Sequence, residues 1–382
     1  MGVDNLMGFV KPATVTSHIR RNEISGKTAA VDISHWIYKA SYSCPEFLYH
    51  KEFNHKAYER IINYIDAYVK MLRSHKMKLI FVFDGIKLPA KRVTHMERAA
   101  RKAEARRMVE HFLAKQNKSE ARKYMLRCSD IKFDVIQQVI LYCQRESIKY
   151  IVAPYEADAQ LAYLDKTDKC DFIITEDSDL ILYGCRKIIY KLDKDTGDCV
   201  LYDRSRLGRC LGNGKSGDAD FEKFRRMCIL SGCDYLKNLP SVGLQSAKKF
   251  FSMTQQDNLR LLLPKLAGYL KKTSLAGKVT EEYINGFIDA ETTFRHHIVY
   301  DEDYGRLVPL EPYPKGKSSS DFPLAGKRFD RTTAEELVAG RINLDKLNPD
   351  VDLDSSTSSS EEDTDVDEEN NNTTAMAEGI PA

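Results

Sequence analysis

The chain has 382 residues, 58 Lys or Arg against 56 Asp or Glu, and a formal net charge of +2. It exceeds the usual size of one domain, yet α/β enzymes of this length commonly form one compact body, so a catalytic body plus a tail is expected. No stretch approaches the roughly 20 apolar residues of a membrane span and residues 1–20 lack the apolar core of a signal peptide, which predicts a soluble, intracellular protein with no membrane partner.

Met1-Gly2 does not signal myristoylation, because Leu6 stands where that signal needs Ser or Thr. Nine cysteines between Cys44 and Cys233 form no C-x-x-C pair and no zinc spacing, and are expected to be reduced, mostly buried thiols. The near-neutral total conceals a division. Residues 351–382 hold ten Asp or Glu and no Lys or Arg, leaving 58 basic against 46 acidic residues in the rest, a surplus suited to a polyanion partner.

In chain order, short β-rich runs alternate with helical patterns, which predicts an α/β fold with a mostly parallel central sheet flanked by helices. The expected strands are Thr28 to Val31, Lys78 to Phe83, Tyr150 to Ala153, Phe172 to Thr175 and Lys187 to Leu192. Between the first two, Tyr58, Ile61, Ile62, Ile65, Tyr68, Val69 and Leu72 recur at helical spacing and mark a core-facing stripe. Residues 91–127 are rich in Arg, Lys, Glu and Ala with few apolar anchors, so they should be helical, have little to bury and project from the body. From about Phe221 the pattern is helical again. Residues 351–372 are Ser, Asp, Glu and Asn with almost nothing apolar, and a disordered acidic tail over 351–382 is expected.

Carboxylates fall where the apolar runs end. Val31 runs into Asp32 and Phe83 into Asp84; the run ending at Pro154 leads to Glu156 and Asp158, and that ending at Thr175 leads to Asp177 and Asp179. In an open parallel sheet these ends share the ligand-binding edge, so six acids would converge. One aspartate after a strand is ordinarily a helix cap or turn residue; four strand ends sharing the feature favour a common site. Such a cluster needs counter-charge, and oxygen-only ligands without His or Cys point to magnesium or manganese. Several carboxylates hold two ions about 4 Å apart in enzymes that hydrolyse phosphodiesters. Asp177 and Asp179 would share one side of an extended segment. Glu156 and Asp158 would not share a helix face, so at least one should precede the helix that begins near Pro154.

Over residues 1 to about 345 the chain resembles the flap endonuclease superfamily of 5′ nucleases. The resemblance is carried by MGVDNLMGFV, AAVDISHWIY, FVFDG, PYEADAQLAYL, ITEDSDL and MCILSGCDYL, in that order, and the wording of PYEADAQLAYL and MCILSGCDYL is more like the exonuclease 1 branch. It implies a PIN-like 5′ nuclease fold with a helical arch at about 91–127 and a helix-two-turn-helix at about 221–251. The implied layout is a body over 1–350 made of an N-terminal part (1–99), the arch, an internal part (130–220), the helix-two-turn-helix and C-terminal helices (255–345). It implies a magnesium-dependent, two-metal DNA nuclease, with manganese able to substitute, acting 5′ to 3′ on duplex with a recessed 5′ end, nick, gap or 5′ flap.

The metal-binding acids carried over are Asp32, Asp84, Glu156, Asp158, Asp177, Asp179 and, from GCDYL, Asp234, with Asp32 and Asp84 completing the shell. Lys91 and Arg98 match the family's catalytic basic pair, on one face of the projecting helix, while Arg92 attracts backbone phosphate. Tyr38 occupies a base-stacking position, core packing being its alternative. A helix N-terminus after Gly243, with Lys248 and Lys249, would grip duplex phosphate. The family holds a potassium ion in that loop; here Ser241 replaces a glycine and should resist positive φ. Nuclear location, a monomeric state and mismatch-repair partners also follow from the resemblance. A phosphatase using a nucleophilic Asp with a second Asp two residues on is disfavoured, because Ser34 and Ile86 stand in those places. A non-catalytic scaffold is disfavoured because every expected acid and both basic residues are present.

Overall fold

The structure is a computed structural model that describes residues 2–50, 55–128, 131–212, 214 and 217–347. The acidic tail expected over 351–382 lies outside the described residues. A seven-stranded sheet is built from β1 (Thr14–His18), β2 (Thr28–Asp32), β3 (Lys78–Phe83), β4 (Lys149–Val152), β5 (Phe172–Ile174), β6 (Lys187–Tyr190) and β7 (Asp198–Asp203). Their order is β1-β7-β6-β5-β2-β3-β4. The five strands from β6 to β4 run parallel, and β7 is antiparallel to both β6 and β1.

Alternation along the strands divides the interior into two cores. Ala30, Ile80, Val82, Ile151, Ile173 and Ile188 point to one face, while Ala29, Val31, Phe81, Phe83, Phe172 and Ile174 point to the other. Both faces are covered, which is why the central strands read as nearly unbroken apolar runs. On one face the helix His55–Ser74 buries Ile61, Ile65, Tyr68, Val69 and Leu72, as its stripe predicts. On the other, the helix Ala157–Lys166 buries Ala159, Leu161, Ala162 and Leu164.

Three expectations need correction. The strands β1 and β7 are absent from the reading of the sequence: the edge strand β1 is a short, half-exposed TVTSH run with little apolar signal, and β7, paired between β1 and β6, is a short run bounded by two aspartates. The C-terminal region is not all helical: β8 (Ile298–Asp301) and β9 (Arg306–Pro309) form an antiparallel hairpin. The basic stretch forms two helices, Arg92–Ala114 and Lys118–Cys128, which do have something to bury: Ala105 and Val109 pack on Ala121, Met125 and Cys128 in a cluster of their own. Phe112 stacks on Tyr124 with ring centroids 5.5 Å apart. All nine cysteines are free, eight of them buried.

Register brings the carboxyl ends of the central strands level, with Val31 opposite Ile174 and Phe83 opposite Val152. Just beyond, Gly85 N–H donates to the Tyr155 carbonyl at 2.6 Å and Ile86 N–H to that of Pro154 at 3.1 Å. This approach leaves no space for a side chain, since a Cβ on Gly85 would fall 1.9 Å from the Ala153 carbonyl oxygen. Gly85→Ala is expected to cost more than about 2 kcal/mol, read as a fall of several °C in thermal unfolding; a Tm within roughly 1 °C of the parent would contradict this packing.

Candidate active site

Each acid at the sheet edge is fixed by the backbone around it. Asp32 caps the helix Ile33–Ser41, accepting from His35 N–H at 3.4 Å, and its other oxygen accepts from Thr175 Oγ1 at 2.9 Å. The Thr175 hydroxyl oxygen in turn accepts from Asp177 N–H at 3.0 Å, and Asp177 Oδ1 accepts from Asp179 N–H at 3.0 Å. Asp177 and Asp179 therefore share a tight turn that opens the helix Asp179–Leu182, not an extended segment as expected; the Asp177 carboxylate organises the turn by taking a free amide at the helix start. Asp84 Oδ1 accepts from Ala157 N–H at 2.9 Å, one helix start further on. Glu156 occupies the N-cap position of that helix and Asp158 its first turn, so Glu156 does precede the helix. The cap reading holds for Asp32, Asp84 and Asp177, and the strand-to-helix turns place these caps together at one sheet edge.

Asp234 arrives from a different region, the turn after the helix Asp218–Leu230. Thr94 Oγ1 donates to its carbonyl oxygen at 2.8 Å and ties that turn to the Arg92–Ala114 helix. The same helix start supplies counter-charge. Lys91, only 7% exposed, places Nζ 2.9 Å from Glu156 Oε2 and 3.1 Å from Asp234 Oδ2, and Arg98 Nη2 lies 3.3 Å from the same Asp234 oxygen. The two basic residues thus act at one point, although Lys91 sits in the 3-10 turn before the helix and Arg98 within it.

Electrostatics follow from this crowding. Burial, reinforced by Asp84 and Asp177, pushes the Asp32 carboxyl up from 3.8 to about 7. Burial and neighbouring acids raise Asp158 and Asp179 well above the usual carboxylate range, and burial raises Glu156 against the pull of Lys91. Asp234 is the exception: burial would raise it, but Lys91 and Arg98 hold it below its ordinary value. Burial alone would lower Lys91, yet Glu156 and Asp234 keep its ammonium strongly protonated.

Among the described residues no three His, Cys, Asp or Glu side chains are already arranged around one point as a metal cage. The donor set nevertheless suits a hard divalent cation: it is carboxylate oxygen throughout, and Asp179 Oδ1 is buried with no hydrogen-bond partner.

Several contributors escape the sequence. Tyr235 Oη donates to Glu156 Oε2 at 3.1 Å and lies 2.6 Å from Tyr183 Oη, which reaches His297 Nδ1 at 2.9 Å. This buried relay joins the site to the C-terminal region; only Tyr235 sat in a visible motif. Gly2 has φ +86, and a Cβ there would meet Ser178 Oγ at 2.4 Å and Asp179 Oδ1 at 2.5 Å, so the N-terminal segment packs directly on the acid turn.

The outlying residues divide. Tyr38 is 43% exposed and meets Tyr42 edge-to-face at 5.1 Å, which removes the core-packing alternative. Arg92 and Lys249 are exposed. Gly243 precedes the helix Leu244–Ser252 as expected. Lys248 turns back on the body instead of outward, with Nζ donating to the Cys210 carbonyl at 2.8 Å and lying over the Phe9 ring at 5.5 Å.

A mostly parallel sheet with acids massed beyond its strand ends is the fold of the 5′ nucleases, and solved members of that class share it. The catalytic core of Rad2 in complex with DNA substrate aligns over 79% of this chain and 83% of its own at 24% identity with a TM-score of 0.50. The Holliday junction-resolving enzyme GEN1, in complex with product DNA and Mg2+, aligns over 79% and 66% at 15% identity with a TM-score of 0.53. Residues 1–105 match the XPG N-terminal domain and residues 147–234 the XPG I-region, together about half of the chain. The chain belongs to the XPG family. It is 40% identical to exonuclease 1 of Drosophila melanogaster over 316 residues, 82% of this chain and 42% of that protein. It is 35% identical to exonuclease 1 of Xenopus laevis over 357 residues, 92% of this chain and 47% of that protein. The chain thus spans less than half the length of these two relatives.

Asp179→Asn and Asp158→Asn each remove one crowded, buried carboxyl, so in a chelator both are expected to raise Tm by roughly 2 °C or more, and each is expected to show a smaller calcium-induced rise in Tm than the parent. A lower Tm with the calcium shift intact would contradict the crowding. The sign of the pH effect follows from Asp32: its pKa is higher folded than unfolded, so between about pH 4 and 7 the folded chain holds more protons. Stability in chelator should fall as pH rises through that window, and urea titrations at several pH values check it.

Proposed function

We propose that this chain is a magnesium-dependent, structure-specific DNA nuclease that degrades duplex 5′ to 3′, cuts 5′ flaps near their junction and leaves 5′-phosphates. The observation that carries this reading is the convergence of Asp32, Asp84, Glu156, Asp158, Asp177, Asp179 and Asp234 on one sheet edge, with Lys91 and Arg98 among them. The names of the similar proteins point the same way, to exonuclease 1 and to enzymes solved with DNA. Glu156, Asp158, Asp177, Asp179 and Asp234 would hold two Mg2+ directly or through water, with Asp32 and Asp84 completing the shell; Mn2+ is a fitting substitute for such oxygen ligands. When bound, the ions supply an activated water and stabilise the leaving oxygen.

The chain's own residues do the rest. Arg98 and Lys91, held at Asp234, stand ready to meet the scissile phosphate and offset charge that grows in the transition state. The exposed rings of Tyr38 and Tyr42 offer a platform for the terminal base, sequence-independent because every base has a π-face. The amides at the start of the Leu244–Ser252 helix, with Lys249 exposed on it, would grip a duplex phosphate away from the cut. Arg92 would add a backbone contact. Shape rather than sequence is then read, and the substrates are duplexes with a recessed 5′ end, nick, gap or 5′ flap. A monomer acting in nuclear DNA repair, alongside mismatch-repair proteins, completes the reading.

Purified protein with magnesium and duplex labelled at either end tests it. Loss of 5′ label as mono- or short oligonucleotides is expected; preferential loss of 3′ label or strong dependence on base sequence would overturn the polarity. Asp177→Ala or Asp179→Ala should lower cleavage below about a tenth of the parent while duplex affinity in calcium stays nearly unchanged. Lys91→Ala and Arg98→Ala should each slow single-turnover cleavage by about a hundredfold or more with little change in affinity; equal falls in rate and binding would make them plain phosphate contacts.

A further inference from the structure

Glu156 Oε2 takes two donors, the Lys91 ammonium at 2.9 Å and the Tyr235 hydroxyl at 3.1 Å. Lys91 also lies over the Tyr235 ring, 5.8 Å from its centroid, so the ring and its hydroxyl are held by the same pair of charges. Behind Tyr235 the contacts continue into the core, first to Tyr183 Oη at 2.6 Å and then from Tyr183 to His297 Nδ1 at 2.9 Å. Tyr183 and His297 are buried, and both phenol rings pack on Phe294, at centroid distances of 5.0 Å for Tyr183 and 4.7 Å for Tyr235.

The number of protons gives this row of contacts one direction. A phenol has a single proton and a carboxylate only accepts, so the Tyr235 proton is committed to Glu156. Tyr235 then accepts from Tyr183, and Tyr183, its own proton committed, accepts from His297. Burial, followed by the nearby Lys91 charge, lowers the His297 imidazole from 6.5 to about 3, so the ring carries one proton, and that proton lies on Nδ1. Nε2 is left as an acceptor, a buried nitrogen with no hydrogen-bond partner among the described residues. The opposite direction would leave Nε2–H as a buried donor without a partner and turn a Tyr235 lone pair toward the Glu156 carboxylate, and both cost free energy.

Backbone fixes the relay at both ends. Tyr183 follows the helix Asp179–Leu182, its N–H donating to the Asp179 carbonyl at 3.1 Å, so the relay is attached to the turn that carries Asp177 and Asp179. His297 joins the helix Glu281–His296 to β8, with its N–H on the Thr293 carbonyl at 3.1 Å and its carbonyl accepting from Leu310 N–H at 2.9 Å. With Oε2 taken by two donors, Oε1 is the Glu156 oxygen left for a cation.

We propose that Tyr183 and His297 are positioning residues of the acid site: a one-way relay, from His297 Nδ1–H through Tyr183 and Tyr235, holds Glu156 by Oε2 and reserves Oε1 for a divalent ion. The proposal rests on reading the acids as a metal site, but the direction of the relay is readable without metal. In chelator, long-range proton–nitrogen correlation of the full chain with isotope-labelled histidine reports the tautomer of His297, its signal being the one lost in His297→Asn. The Nδ1–H form is expected. Manganese binding is followed by electron paramagnetic resonance, with Tm measured alongside. Tyr183→Phe and His297→Leu should each bind manganese about fivefold more weakly, since groups that orient a metal ligand contribute to its affinity. His297→Asn, whose amide can donate from the Nδ1 position, should stay within about twofold of the parent, as should Tyr202→Phe, which loses a buried hydroxyl that has no partner.

A parent His297 protonated at Nε2 overturns the proposal. So does a Tyr183→Phe affinity within about twofold of that of Tyr202→Phe, even if its Tm falls, because the relay would then be a structural tie alone. Equal weakening in His297→Leu and His297→Asn would deny His297 its donor role and also overturn it. If Tyr183→Phe does not fold, the parent tautomer and the two His297 variants still decide. A parent that binds no manganese would instead sink the reading of the acids as a metal site, and the tautomer would still decide the direction of the relay.

Discussion

Seven carboxylates at one edge of a sheet repel one another, and the contact that makes their assembly tolerable is the buried Lys91 ammonium between Glu156 and Asp234. Burial first, and then like charges at this spacing, drive Asp32, Asp158 and Asp179 to higher pKa, the last two even with Lys91 nearby. One ammonium and the Arg98 guanidinium do not balance seven acids. The remaining imbalance is the physical argument for divalent cations, and the partnerless Asp179 Oδ1 is its most local sign.

Around that constraint the fold supplies rigid placement. Six carboxylates follow the carboxyl ends of β2, β3, β4 and β5, whose registers are level, and three of them, Asp32, Asp84 and Asp177, accept amides at the starts of the helices Ile33–Ser41, Ala157–Lys166 and Asp179–Leu182. Asp234 is brought by a separate helical unit and tied through Thr94, so the site is complete only when the sheet, the Arg92–Ala114 helix and the helix-two-turn-helix are all in place. The Tyr235–Tyr183–His297 relay adds a fourth attachment, from the strand hairpin region. Under the proposed function, acids, basic pair and duplex grip would reside on different elements, so that each would contact a different part of a DNA end and its shape would be read.

The central strands and the acids beyond them were legible because a strand covered on both faces reads as an apolar run, and the carboxylate that stops the run stands out against it. Lys91 and Arg98 were visible only through the family resemblance; by composition they belong to a basic helix like any other. The edge strand β1 was hidden by its polarity, its neighbour β7 by the shortness of its run between two aspartates, and the small core joining the helices Arg92–Ala114 and Lys118–Cys128 by its reliance on Ala, Cys and Met. Lys248 illustrates a different limit, since nothing in KKF tells which lysine turns inward to the Cys210 carbonyl and which faces solvent. Ser241 takes the positive φ, 63°, that its side chain was expected to resist, and the Lys272 ammonium that meets its carbonyl lies 31 residues further along the chain. Long-range pairing of single polar atoms leaves no periodic trace.

Direct counting of bound divalent ions bears most closely on the claim that the acid cluster exists to hold them. Electron paramagnetic resonance of manganese added to chelator-treated protein, with a 5′-recessed duplex present, reports free ion as the titration proceeds. Two manganese ions bound per chain, reduced by Asp179→Asn, is the result this account predicts; no binding above that of the substituted protein would contradict it.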